Sequence, residues 1–182
     1  LPLLETEVKV VDAEGVTLPA EQPGELCVRG PQVMKGYWHK THETEGVFTS
    51  DGYLRTGDVA VLQQDGYLRI VDRAKDMIIT SGFNVYPSEV EDVICDHPDV
   101  LECAAIGIPD EACGELVKVY VVTSSETLSL ETIQDWCNNR LTRYKIPKSV
   151  LFVSELPKTN VGKVLRRKLR EEEPEVIKRA AS

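Results

Sequence analysis

The first seventy positions carry their apolar residues in short runs cut by turn formers. Val8-Lys9-Val10-Val11 reads as a strand, and Asp12 to Gly15 as the turn behind it. Pro23-Gly24 marks a second turn. Glu25 to Arg29 then alternates polar and apolar residues until Gly30-Pro31 stops it. Residues 36–52 mix Gly, His, Thr and Glu without a helical period and read as a surface loop. Tyr53 to Leu62 and Gly66 to Val71 read as paired strands joined by Gln63-Gln64-Asp65-Gly66.

Beyond Asp72-Arg73 the period changes. Met77 to Thr80 is a short apolar strand. Ser88 and Glu91 have capping-box spacing, and Val90, Val93 and Ile94 make one helical face that ends before Pro98. Val100 to Ile108 and Leu116 to Thr123 predict two strands, and Val150 to Val153 a last one. Between them, Ser129 to Leu141 predicts a helix with Leu130, Ile133, Trp136 and Cys137 on one side. The order β-β-α-β-β-α-β from residue 67 predicts an α+β fold in which two helices cover one face of a mostly antiparallel sheet. Residues 164–172 predict a helix, basic and then acidic, interrupted by Pro174. The short charged segment Asp72 to Lys75 is read as the boundary between a β-rich part, 1–72, and a second domain, 73–182.

Composition adds exclusions. The 182 residues are 42% hydrophobic and 28% charged, ordinary for a globular chain and unlike collagen, low-complexity disorder or a disulfide-dense miniprotein. The net charge of −9 argues against nucleic acid as a partner. Cysteines stand at 27, 95, 103, 113 and 137, an odd set with no CxxC spacing. They read as idle thiols in a reducing cytoplasm, and no metal site is expected. His39 and His42 read as surface residues. No apolar run reaches the roughly 18 residues a membrane span needs. The start, Leu1-Pro2-Leu3-Leu4, is expected to be an internal point of a longer protein.

Four short segments carry candidate chemistry. In Thr56-Gly57-Asp58 a carboxylate follows a glycine, which suits two hydrogen bonds to a vicinal diol such as ribose. Arg73, with Lys75 and Asp76 close behind, offers a permanently charged fork for paired oxygens. Lys163 ends the polar stretch Pro157-Lys158-Thr159-Asn160-Val161-Gly162, which is not a phosphate-binding Walker loop because Pro157 and Val164 occupy defining positions. Ser81-Gly82-Phe83-Asn84 has small residues past which a thin ligand could run. Taken singly, each has an ordinary explanation: a turn aspartate, a solvated charge cluster, a loop lysine and a plain β-turn.

Taken together, their order and wording resemble the adenylate-forming superfamily of acyl-CoA synthetases, nonribosomal peptide adenylation domains and firefly luciferases. Gly24-Glu25-Leu26 through Gly36-Tyr37-Trp38 resembles the family's strand and its GYW block. Asp51 to Asp58 with Gly66 to Lys75 resembles the fatty acyl-CoA synthetase signature. Lys75 to Glu91, Tyr144 to Pro147 and Pro157 to Arg167 resemble the C-terminal motifs. Gly30 to Met34 and Ser81 to Pro87 read most like bacterial long-chain fatty acid–CoA ligases, while Ala60, Leu62, Gln64 and Ala74 depart from common signature letters.

The resemblance implies a fatty acid–CoA ligase using ATP, Mg2+ and CoA. Fatty carboxylate and ATP would give acyl-AMP and pyrophosphate, and CoA would then give acyl-CoA and AMP. It implies that 1–72 is the end of the large AMP-binding domain and 73–182 the mobile C-terminal domain. Residue by residue, it implies that Asp58 and Arg73 hold the ribose, that Lys75 is the hinge and that Lys163 is the catalytic lysine of adenylation. Ser81, Gly82 and Phe83 would line the pantetheine tunnel. Arg140, Arg143 and Lys145 are candidates for CoA phosphates on charge alone. The phosphate loop and acyl tunnel are not in these residues, so the chain is expected to be inactive alone. A medium-chain or aryl-CoA ligase is the alternative enzyme, and a non-catalytic binding module the alternative class. A cytoplasmic site is expected, with the basic stretch Lys163 to Arg170 a candidate for touching anionic lipid.

Overall fold

The structure, a computed structural model, describes residues 2–180, with side chains through Glu173. It divides into two compact units, Leu1–Lys75 and Asp76–Ser182.

The first unit is a four-stranded antiparallel sheet in chain order: β1 (Glu7–Val11), β2 (Pro23–Arg29), β3 (Leu54–Leu62) and β4 (Leu68–Arg73). Its core is Val10 and Val11, Leu26 and Cys27, and Val59 to Val61, buried in successive pairs or triplets on adjacent strands. The segment read as a loop contains a short helix, α1 (Thr41–Val47), before β3. No residue of α1 is buried, so there was no apolar period to read. Local polar bonds hold it instead: Thr44 Oγ1 donates to the Lys40 carbonyl and accepts from the Tyr37 N–H.

The second unit is a mixed α+β layer. Its sheet runs β6 (Phe83–Val85), β5 (Ile78–Thr80), β8 (Gly114–Thr123), β7 (Val100–Asp110), with β9 (Ser149–Phe152) parallel to β8. Helices α2 (Pro87–Cys95) and α3 (Leu130–Asn138) bury Val90, Ile94, Ile133 and Cys137 against Cys103, Ala105, Val117, Val119 and Val121. The alternate positions Ala104, Ile106 and Tyr120 form a second core with Leu156 and with Leu169 of α4 (Arg166–Ala180). Strand period two therefore splits one sheet into two apolar faces. Two helices do cover one face, and a third covers the other.

Three local readings need correction. Ser88 is not the N-cap that its capping-box spacing with Glu91 predicts. The N-cap of α2 is Tyr86, with Pro87 in the first turn, so Ser88 is already helical. Proline's fixed φ starts the helix there and needs no N–H partner. The Glu91 carboxylate accepts from the Ala105 N–H at 2.8 Å. Ser81-Gly82 is the two-residue turn of a β5–β6 hairpin, so Phe83–Val85 adds a strand. Pro174 does not end α4, which continues to Ala180. A proline removes one backbone bond and bends a helix, and the remaining i→i−4 bonds can carry it on. The N-cap of α3 is Ser129, whose side chain accepts from the Thr132 N–H.

Candidate functional site

In the first unit the β3–β4 ladder sets Asp58 opposite Arg73. Gly57 takes a positive φ of 72° just before Asp58, and the Asp58 N–H donates to Thr56 Oγ1, itself tied to the Leu26 carbonyl. A guanidinium nitrogen of Arg73 lies 3.0 Å from the Asp58 carboxylate, with the side chains 56% and 28% exposed. An ion pair this wet is worth at most about 1 kcal/mol. Either partner can therefore give up the contact for a ligand at little cost. Lys75 is exposed, in the middle of a 3-10 turn, Ala74–Asp76.

The second unit starts at Asp76, which is buried. Arg170 reaches it at 2.8 Å, and Arg166 lies 3.9 Å from its other oxygen. Arg166 also forks onto Glu91, at 2.5 and 3.1 Å. Residues 166 and 170 are one helical turn apart, which brings both guanidinia to one face of α4. The sequence reading missed this cluster, although that spacing within the basic stretch was its signal. Arg167 and Lys168 point outward and pair with Glu171 and Glu172. Two of the cations offered to lipid are thus spent internally, and two more are paired on the surface.

Lys163 stands just before α4 in a tight loop. The Thr159 N–H donates to the Lys163 carbonyl and the Lys163 N–H to Thr159 Oγ1, Lys158 bridges to Val164, and Gly162 takes φ 81°. The Lys163 side chain is exposed and has no ion-pair partner among the described residues. A fixed backbone thus carries an exposed ammonium.

Ser81 and Phe83 line a groove of about 410 Å³ with Arg143, Tyr144 and Lys148. Phe83 stacks on Tyr144, ring centres 4.6 Å apart. Arg143 and Lys148 make the groove cationic. Arg140 instead lies over the Trp136 ring at 3.7 Å, and Lys145 is held by Glu89 at 2.6 Å. Of the three cations singled out for CoA phosphates, only Arg143 faces this groove.

Gly82 has φ 80°, and a Cβ built there would meet nothing within 4 Å. What it needs is a left-handed backbone, so any effect of a leucine there includes turn strain. Gly82→Leu should destabilise the chain by about 1–2 kcal/mol, and Gly82→Asn by less than half of that, since asparagine tolerates this region. Thermal melting of the two variants checks this, and equal melting points would show that the turn can re-form. Phe83 is the cleaner probe of the groove.

The comparisons with known proteins bear on these segments together. The AMP-binding enzyme family matches residues 1–38, and the AMP-binding enzyme C-terminal domain matches residues 89–163. This chain belongs to the AMP-binding enzymes. It is 54% identical over 94% of its length to a long-chain-fatty-acid–CoA ligase of Escherichia coli O6:H1, and 53% identical over 97% to one of Yersinia pestis. It spans about 30% of the length of these relatives. Among solved structures, ATP-bound MatB from Rhodopseudomonas palustris matches with a TM-score of 0.87 at 38% identity, covering 93% of this chain and 34% of that one. The α+β fold is therefore that of an adenylate-forming enzyme. Among the described residues no helix is long and apolar enough to cross a membrane, and no group of three or more His, Cys, Asp or Glu could hold a metal ion.

Proposed function

We propose that this chain works as part of an ATP-dependent long-chain fatty acid–CoA ligase. The observation that carries the reading is its 54% identity, over 94% of its length, to a protein of that name. The geometry supports it at three places. Asp58 offers carboxylate oxygens to the ribose hydroxyls of the nucleotide. Arg73, set opposite on β4, orients the same sugar. Lys163 brings its ammonium to the fatty carboxylate and the α-phosphate, where negative charge builds during adenylation. The groove beside Ser81, Gly82 and Phe83 takes the pantetheine arm, with Arg143 and Lys148 available to phosphate. Mg2+ would be held outside the described residues, and no step is assigned to it.

On this reading 1–72 closes the large AMP-binding domain, and 73–182 is the mobile domain that turns about Lys75. The turning point sits directly before Asp76, which Arg170 anchors, so movement is confined to the residues ahead of it. Trypsin should therefore cut after Arg73 or Lys75 before it cuts within 85–155. Early cuts inside 85–155 would overturn the hinge.

The deciding assay is made on the full-length protein that contains this chain. With palmitate, ATP, magnesium and CoA it should release pyrophosphate and AMP in step with acyl-CoA. The isolated 182 residues should release none. No palmitate-dependent pyrophosphate from the full-length protein would overturn the assignment.

A further inference from the structure

Cys95 closes α2 and Cys103 lies on β7, two elements with no assigned part in the ligase chemistry. Their sulfurs stand 3.4 Å apart. A disulfide needs about 2.05 Å, so a little over an ångström of approach would join them. Each lies beside a break in its regular element. Cys95 is the last residue of its helix, and the β7–β8 ladder slips register between Val100 and Glu102, directly before Cys103. Their accessibility is unequal, because Cys95 is exposed and Cys103 buried.

We propose that Cys95 and Cys103 form a peroxide-oxidisable dithiol, with Cys95 the attacked sulfur and Cys103 the resolving one. Cys95 thiolate attacks one oxygen of hydrogen peroxide, breaking the O–O bond and leaving Cys95 as a sulfenic acid while hydroxide departs. The Cys103 sulfur then attacks the Cys95 sulfur. An S–S bond forms, the S–O bond breaks, and the leaving oxygen departs as water with the Cys103 proton. In sum, two thiols and one peroxide give one disulfide and two waters. A small-molecule dithiol reverses the step by exchange.

The local hydrogen bonding fits the same roles. The Cys103 S–H has the Glu91 carbonyl at 3.5 Å and the Cys95 sulfur at 3.4 Å. Turned to Cys95, it stabilises a thiolate there and draws that thiol down to about 7, against partial burial and the charges of Glu91 and Asp92. The same bond, and then burial, push Cys103 up, so it reacts only after Cys95 has been oxidised. Cys27 and Cys137 are buried, and burial raises both thiols. Cys113 is partly exposed, and its S–H is donated to the Asp110 carboxylate, which raises it. Cys95 is therefore the thiol most open to peroxide.

The test uses the intact chain treated with hydrogen peroxide, alkylated, digested and mapped by mass spectrometry. The expected product is an intramolecular 95–103 cross-link, two hydrogen masses lighter and restored by dithiothreitol. In Cys103→Ser, Cys95 should stop at a sulfenic acid that dimedone traps. In Cys95→Ser, Cys103 should stay a thiol. The wild-type map decides by itself if either variant fails to fold. Cys95 carried to sulfinic acid without a cross-link, or Cys113 oxidised before Cys95, would overturn the proposal.

Discussion

Lys163→Ala in the full-length protein is expected, on the proposed ligase reading, to lower adenylation by about 100–1,000-fold, roughly 3–4 kcal/mol of transition-state stabilisation. The side chain is exposed and pairs with nothing among the described residues, so removing it leaves no fold contact broken. Its loop is held by bonds from the Lys163 backbone to the Thr159 N–H and hydroxyl, which the substitution keeps. The melting temperature should therefore stay within a degree or so of wild type, separating chemistry from folding. Thioester formation from supplied acyl-AMP should survive, because on that reading the ammonium acts where carboxylate meets phosphate and not where thiol meets acyl. Pyrophosphate exchange reads the first half-reaction, and thioester release from synthetic acyl-AMP reads the second. Equal loss in both would contradict this division of labour.

Lys118→Met is expected to destabilise the second unit by about 3–5 kcal/mol, the usual penalty for breaking a buried ion pair from one side. Lys118 and Glu173 are both buried and meet at 2.5 Å between the sheet and α4. Tyr120 donates its hydroxyl to the other Glu173 oxygen. Without the ammonium, Glu173 keeps a buried charge with one neutral donor. Removing both partners, as Lys118→Met with Glu173→Leu, should recover most of the loss, since the apolar pair carries no desolvation cost. Urea unfolding followed by Trp136 fluorescence, with Trp38 replaced by phenylalanine, gives the comparison. A single-variant cost under about 1 kcal/mol would show that the pair is effectively solvated.

Tyr120 adds a pH signature. Burial first, and then the bond to Glu173, hold its phenol well above the ordinary tyrosine range. A group raised in the folded state contributes fully below its unfolded pKa of about 10 and loses that contribution as the pH climbs past it. The second unit should therefore weaken above pH 10, and Tyr120→Phe should flatten the slope. An unchanged slope would place its cause in other groups.

Much of this protein was legible in local pattern. Strand positions in the first unit followed from apolar runs between turns. The faces of α2 and α3 followed from Val90, Ile94, Ile133 and Cys137 at helical spacing, because burial of one face is what a 3.6-residue period records. The family was legible from the wording of short motifs, which carry chemistry in a handful of fixed letters. What failed locally failed where no such period exists. Helix α1 buries nothing, the Ser81-Gly82 hairpin is set by backbone dihedrals, and the start of α2 was decided by Pro87 against a plausible cap.

Only the tertiary structure decided which charges meet. Asp76 lies ninety-four residues from Arg170, Glu91 seventy-five from Arg166, and Lys118 fifty-five from Glu173. No periodicity links such pairs, since they form only when the sheet has closed and α4 has settled on its second face. The stretch Lys163 to Arg170 therefore read as a basic helix face and a candidate for touching anionic lipid, while the fold turns Arg166 onto Glu91 and Arg170 onto the buried Asp76. The Cys95–Cys103 approach is of the same kind. Eight residues and a helix-to-strand reversal separate the two thiols, and only that reversal brings the sulfurs together.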